Sequence, residues 1–213
     1  MTKETLMMRW VAEHLVKDPR VLQAFHDVPR EHFVLPRWQR YAYEDSPLPT
    51  ARGQTISQPT TIMMMLDALD VHPGMKVLEI GTGSGYNAAL LDHLAGEHGK
   101  VFSLELDVGL AKDAIQRLQE VAPRVQVIAK DGTAGLPEDE PFDRIIVTAA
   151  VEHIPDALLD QLKDPGMLVA PVGGIMGQAG LKIKKEHGKL TQESFGQFLF
   201  VPLRTEDKSP LAS

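Results

Sequence analysis

From Lys76 to Val172, short apolar runs alternate with segments in which apolar residues recur every three or four positions. The runs read as buried strands at 76–80 (KVLEI), 101–105 (VFSLE), 125–129 (VQVIA), 144–150 (RIIVTAA) and 167–172 (MLVAPV). Between them, 85–95, 108–121 and 156–162 read as helices, and in the second of these Leu110, Ala114, Leu118 and Val121 share one face. Short apolar strands alternating with amphipathic helices specify an α/β fold built on a doubly wound, mostly parallel sheet.

The pattern differs at both ends. In 2–18, Leu6/Met7, Trp10/Val11 and Leu15 fall at helical spacing, and Asp18-Pro19 opens a second short helix that must stop before Pro29. Segment 34–56 carries Pro36, Pro47, Pro49 and Gly53 without a sustained period, as a binding loop or lid does. Ser57 is placed to cap a helix with Pro59 in its first turn and Ile62, Met65, Leu66 and Leu69 inward, so the run Met63–Met65 reads as core filler. Downstream, LKIKKE, a turn at His187-Gly188, KLTQES and FGQFLFVPL predict an antiparallel hairpin plus a further strand, then a polar tail. One domain over 1–213 is expected: helices and loop to 56, a core over 57–173, antiparallel strands over 174–204, and a tail from 205.

Composition narrows the chemistry. A net charge of −7 disfavours a nucleic-acid partner, and the absence of cysteine removes disulfides, thiolate metal sites and thiol nucleophiles. No apolar run approaches the roughly 18 residues of a membrane span and the N-terminus has no signal-peptide pattern, so a cytoplasmic protein without membrane contact is expected; a monomer is expected as well, though none of these features fixes the oligomeric state. None of the eight histidines has metal-ligand spacing, and no metal is predicted. The lysines of KIKK (182–185) read as the charged face of an edge strand.

Candidate chemistry centres on VLEIGTGSGY (77–86), a strand that breaks into three glycines. Open α/β sheets bind ligands at the carboxyl ends of their strands, which places Gly81–Gly85, Glu105, Asp131-Gly132 and Thr148-Ala149-Ala150 around one site. Glu105 can accept hydrogen bonds from a ribose diol, a group common to dinucleotides and S-adenosylmethionine. Tyr86 stands where a dinucleotide fingerprint has its third glycine, which favours a ligand without a pyrophosphate, and hence a class I methyltransferase over a dehydrogenase. Gly83-Ser84-Gly85 does not complete the G-x-S-x-G elbow of a serine hydrolase.

VLEIGTGSGYNAALL (77–91), together with VPREHFV (28–34), YAYEDSPLP (41–49), GQTISQPTTI (53–62), FDRIIVTAA (142–150), GMLVAPVG (166–173) and LFVPL (199–203), resembles the protein-L-isoaspartate O-methyltransferase family over nearly the whole chain. TISQP is the family-specific segment. The resemblance implies S-adenosylmethionine-dependent methylation of the α-carboxyl of L-isoaspartyl residues in damaged proteins and peptides, with a class I, Rossmann-like fold. It implies that Ser57 is the active-site serine. Because a carboxylate with a pKa of about 4 is already ionised at pH 7, that serine is expected to position the carboxylate or the methyl donor and not to act as a nucleophile. The resemblance also implies cofactor contacts from Thr55, Gln58, Gly81, Gly83, Ser84, Gly85, Glu105, Leu106, Asp131 and Gly132, and substrate contacts from Ile56, Ser57, Thr148, Ala149, Ala150, Val201, Pro202 and Leu203. Lys130, Asp164-Pro165 and the glycine-rich 174–180 depart from the family pattern and bear on loop geometry. A class I methyltransferase acting on a small molecule or RNA is the alternative.

Overall fold

A computed structural model describes residues 1–174 and 176–205. Helices α1 (Lys3–Ala12) and α2 (Pro19–Asp27) are capped by Thr2 and Asp18, whose side chains accept main-chain N–H groups that have no partner inside the helix. Two 3₁₀ turns and the two-residue antiparallel pairing of β1 (Leu48–Pro49) with β2 (Thr55–Ile56) organise the stretch that showed no period. Next come α3 (Pro59–Leu69), β3 (Lys76–Ile80), α4 (Tyr86–Ala95), β4 (Lys100–Glu105), α5 (Val108–Val121), β5 (Gln126–Ala129) and β6 (Phe142–Val147). After these, α6 (Asp156–Asp160) leads into β7 (Leu162–Gly174), β8 (Gly177–Glu186) and β9 (Lys189–Phe198).

The sheet order is β5-β4-β3-β6-β7-β8-β9; β3 to β7 run parallel, and β8 and β9 add antiparallel. Alternate residues of the central strands feed two cores. Val77, Val101, Ile146 and Val169 pack with α1 to α5, while Leu78, Phe102, Ile145 and Leu168 pack with α6 and the chain around Leu136 and Phe142. Leu6, Trp10 and Phe25 are fully buried, which joins the N-terminal helices to the larger core. Each such side chain contributes about 1.5–3 kcal/mol through removal from water.

Several expected boundaries move. The first helix ends at Ala12, with His14 in a left-handed conformation, so Leu15 packs from the connection and not from the helix. The helix expected over 156–162 stops at Asp160, because β7 already begins at Leu162 against Phe142. The hairpin's return arm is one strand through Phe198, and 199–203 leaves the sheet to bridge Ala150 through Pro202. KIKK is not at an edge: β8 lies between β7 and β9, and Lys182 pairs with Glu193 at 3.4 Å. Gln58, not Ser57, occupies the N-cap of α3 and makes no side-chain cap bond; Asp45 accepts from the Thr60 N–H at 3.0 Å instead. The polar tail beyond 205 lies outside the described residues. Among those residues no helix is long and apolar enough to cross a membrane.

Candidate active site

Strand order reverses at β3, whose successor in the chain, β4, lies on one side and β6 on the other. A cavity of about 890 Å³ opens there, at the carboxyl ends of these strands. The glycine turn after β3 forms its floor. Gly81 has φ +100, and a Cβ on it would lie 2.6 Å from Thr148 Oγ1, so no larger residue fits this turn. Thr148 Oγ1 donates toward the carbonyls of Gly81, at 2.7 Å, and Ile80, at 3.0 Å, tying the turn to the end of β6.

Glu105 closes β4 beside that turn. Its Oε2 accepts the Gly83 N–H at 2.9 Å and its Oε1 the Asp107 N–H at 3.0 Å, which fixes the carboxylate while leaving further lone pairs for a ligand. Asp107 in turn caps α5 by accepting from Gly109 and Leu110, and those bonds hold its carboxyl below the ordinary range. Behind the turn, Glu79 is fully buried. It accepts from Asn87 Nδ2 and Ser103 Oγ, and Ser103 Oγ also meets Thr82 Oγ1 at 2.6 Å. Burial pushes the Glu79 carboxyl up to about 7 despite these bonds.

The cavity brings together Thr55, Ile56, Ser57, Gln58, Gly81, Gly83, Ser84, Glu105, Leu106 and Gly132 with Thr148, Ala149, Val201, Pro202 and Leu203. Three expected residues lie outside its lining. Gly85 is the N-cap of α4 at φ +90, and a Cβ there would lie 3.2 Å from Leu118 Cγ, so this glycine allows α4 to pack on α5. Asp131 Oδ1 caps the 3₁₀ turn that presents Gly132, accepting from the Thr133 N–H at 2.8 Å. Both main-chain groups of Ala150 are taken by Val201 and Leu203, each at 2.8 Å, so Ala150 anchors the terminal segment over the site.

Other lining residues were not assigned to the site from the sequence: Gln54, Thr61, Tyr86, Asn87, Asp107, Leu199 and Arg204. Gln54, Thr61, Tyr86, Asn87 and Leu199 lie within the family-like segments, Asp107 is an acid opening the 108–121 helix, and Arg204 carried no signal. Exposed Leu199 and Val201 make the rim apolar. Among the described residues no group of three or more histidines and acids is placed to hold a metal ion.

Reversal at β3, the glycine turn and the antiparallel pair beyond β7 give the chain the fold of a class I methyltransferase. A solved protein-L-isoaspartate O-methyltransferase superposes with a TM-score of 0.83 at 30% identity, over 96% of this chain and 66% of that one. One described as a putative protein-L-isoaspartate O-methyltransferase from Plasmodium falciparum, in complex with S-adenosyl-L-homocysteine, superposes at 0.80 with 23% identity, over 96% and 99% of the two chains. The family description Protein-L-isoaspartate(D-aspartate) O-methyltransferase matches residues 1–208, and the chain belongs to that family. Protein-L-isoaspartate O-methyltransferase of Pyrobaculum arsenaticum is 43% identical over 194 residues, 90% of this chain and 95% of its own. That of Hyperthermus butylicus is 42% identical over 211 residues, 94% of this chain and 88% of its own.

Proposed function

We propose that the protein, as a cytoplasmic monomer, methylates the α-carboxyl of L-isoaspartyl residues in damaged proteins and peptides, with S-adenosylmethionine as methyl donor. The observation that carries this reading is that Ser57 of TISQP and Glu105 of β4, 48 residues apart in the sequence, line one cavity. The residues present suit the donor: a cavity of about 890 Å³ is ample for a nucleoside with an amino acid arm, and Glu105 is fixed to accept two ribose hydroxyls. Gly81 and Gly83 let main chain approach the amino acid arm, Thr55, Gln58, Ser84 and Leu106 complete the walls, and Gly132 fits the base, with Asp131 shaping its turn.

When bound, the donor supplies an electrophilic methyl group. The acceptor carboxyl, with an ordinary pKa of about 4, is ionised at neutral pH, so no residue need remove a proton. Ser57 orients that carboxylate by hydrogen bonding for direct in-line transfer, and Ile56, Thr148, Ala149, Val201, Pro202 and Leu203 hold the surrounding peptide. Orientation of this kind contributes about 7–11 kcal/mol where alignment is good. A net charge of −7 disfavours nucleic acid as a partner.

Tritiated methyl transfer to an isoaspartyl peptide, run beside its normal aspartyl twin, tests the reading. A base-labile ester should form on the isoaspartyl peptide alone. Equal labelling of both peptides, or of neither, overturns it.

A further inference from the structure

Arg30 opens the 3₁₀ turn Arg30–Phe33 and is fully buried, yet none of the ion pairs among the described residues includes it. Its Nε donates to the Ala42 carbonyl at 2.7 Å and its Nη2 to the Ser57 carbonyl at 2.8 Å. Nη1 has no hydrogen-bond partner. The guanidinium lies 5.2 Å from the centroid of Tyr86, a ring that lines the cavity, and the Tyr86 hydroxyl is also buried without a partner. The acid that acts on Arg30 electrostatically is Asp45, whose charge is already matched by Arg9. Burial lowers the Arg30 pKa to about 10, so the group remains cationic at neutral pH.

A buried cation without a counter-ion is costly, and a main-chain strut does not need one, because a neutral amide donates to a carbonyl as well. The surroundings supply a reason for the charge. The carboxylate of the proposed substrate must enter a cavity that already holds Glu105 and Asp107, in a chain of net charge −7. Arg204 also lines the cavity, but it is exposed and acts on Asp107, as does Arg52. Arg30 is bonded directly to the main chain of the serine expected to receive the carboxylate.

We infer that Arg30 is a positioning residue, holding the Ser57 segment from behind and supplying the positive field that draws the substrate carboxylate to Ser57. This rests on the isoaspartyl reading. It is tested with R30K, R30M and R30Q, measuring S-adenosylhomocysteine affinity by calorimetry, KM and kcat for an isoaspartyl peptide, and inhibition by the same peptide with its α-carboxyl converted to a carboxamide. R30M should bind S-adenosylhomocysteine as wild type does, while its KM for the carboxylate peptide rises by about tenfold or more and inhibition by the neutral twin weakens far less, by the share that holding the Ser57 segment contributes to both peptides. R30K, which keeps the charge, should recover most of the KM. A KM unchanged in R30M, or equal weakening of the charged and neutral peptides, overturns the inference. R30Q replaces R30M if the latter does not fold, and loss of S-adenosylhomocysteine binding in both makes Arg30 purely structural. Failure of the wild type to methylate the isoaspartyl peptide is a different result, and condemns the functional reading instead.

Discussion

Glu105 serves two ends at once: both its oxygens accept main-chain N–H groups, one from the glycine turn and one from the approach to α5. A ligand bound there finds the carboxylate already oriented and loses little entropy in ordering it. Ser57 is simpler. Its carbonyl is held by Arg30, and because Asp45 satisfies the first turn of α3, its hydroxyl has no part in capping that helix. Ser57→Ala should therefore leave the thermal midpoint unchanged while lowering turnover about ten- to a hundredfold, the worth of one or two hydrogen bonds. Steady-state rates on the isoaspartyl peptide, paired with calorimetric unfolding, check both halves; undiminished turnover would remove Ser57 from the mechanism.

At the scale of elements, the N-terminal helices are joined to the catalytic core through one polar node. Thr60 Oγ1 donates to Asp45 Oδ2 at 2.8 Å and accepts from Arg9 Nη2 at 2.8 Å and Trp10 Nε1 at 2.6 Å, so α1, the 42–47 loop and α3 meet at one hydroxyl. Arg9 and Thr60 outweigh the burial of Asp45 and hold its carboxyl below its ordinary value. Such a group stabilises the fold above its unfolded pKa, near 3.8, and that contribution is lost as the pH falls through the lower folded value. Asp45→Ala should cost about 2–3 kcal/mol at pH 7, by loss of bonds to a charged acceptor, and less toward pH 3. Urea unfolding at the two pH values measures this; an equal cost at both would mean that packing, not charge, matters at this node.

For the whole molecule, the buried acid behind the glycine turn adds a pH dependence to stability that lies above the ordinary carboxylate range. Glu79 faces Ser103, Asn87 and the like-charged Glu105, and its folded pKa is raised to about 7 from an ordinary 4.5. Between these values the folded protein keeps a proton on Glu79 that the unfolded chain has lost, so the contribution of Glu79 to stability falls as the pH rises from about 4.5 to about 7 and then levels off. Glu79→Gln mimics the protonated form at every pH. It should gain on the wild type across that window, by roughly 3 kcal/mol at most, as followed by denaturant midpoints at pH 5 and pH 8. Parallel curves would show that Glu79 titrates normally.

The strands, the helices that alternate with them and the turn at Gly81–Gly85 were legible in the residues because each is dictated locally, by the period of apolar positions or by a backbone angle that only glycine adopts freely. Matches spread from VPREHFV to LFVPL likewise assigned the family without a fold. Tertiary structure decided what depends on groups distant in the chain. It moved the cap of α3 from Ser57 to Asp45, placed KIKK inside the sheet, tied Ala150 to the terminal segment, packed Gly85 against α5, and buried Arg30 behind Ser57. Each of these is a competition for a hydrogen-bond partner or a packing surface, and its outcome is set by which groups the completed fold brings within about 3 Å of one another, a quantity that no local pattern contains.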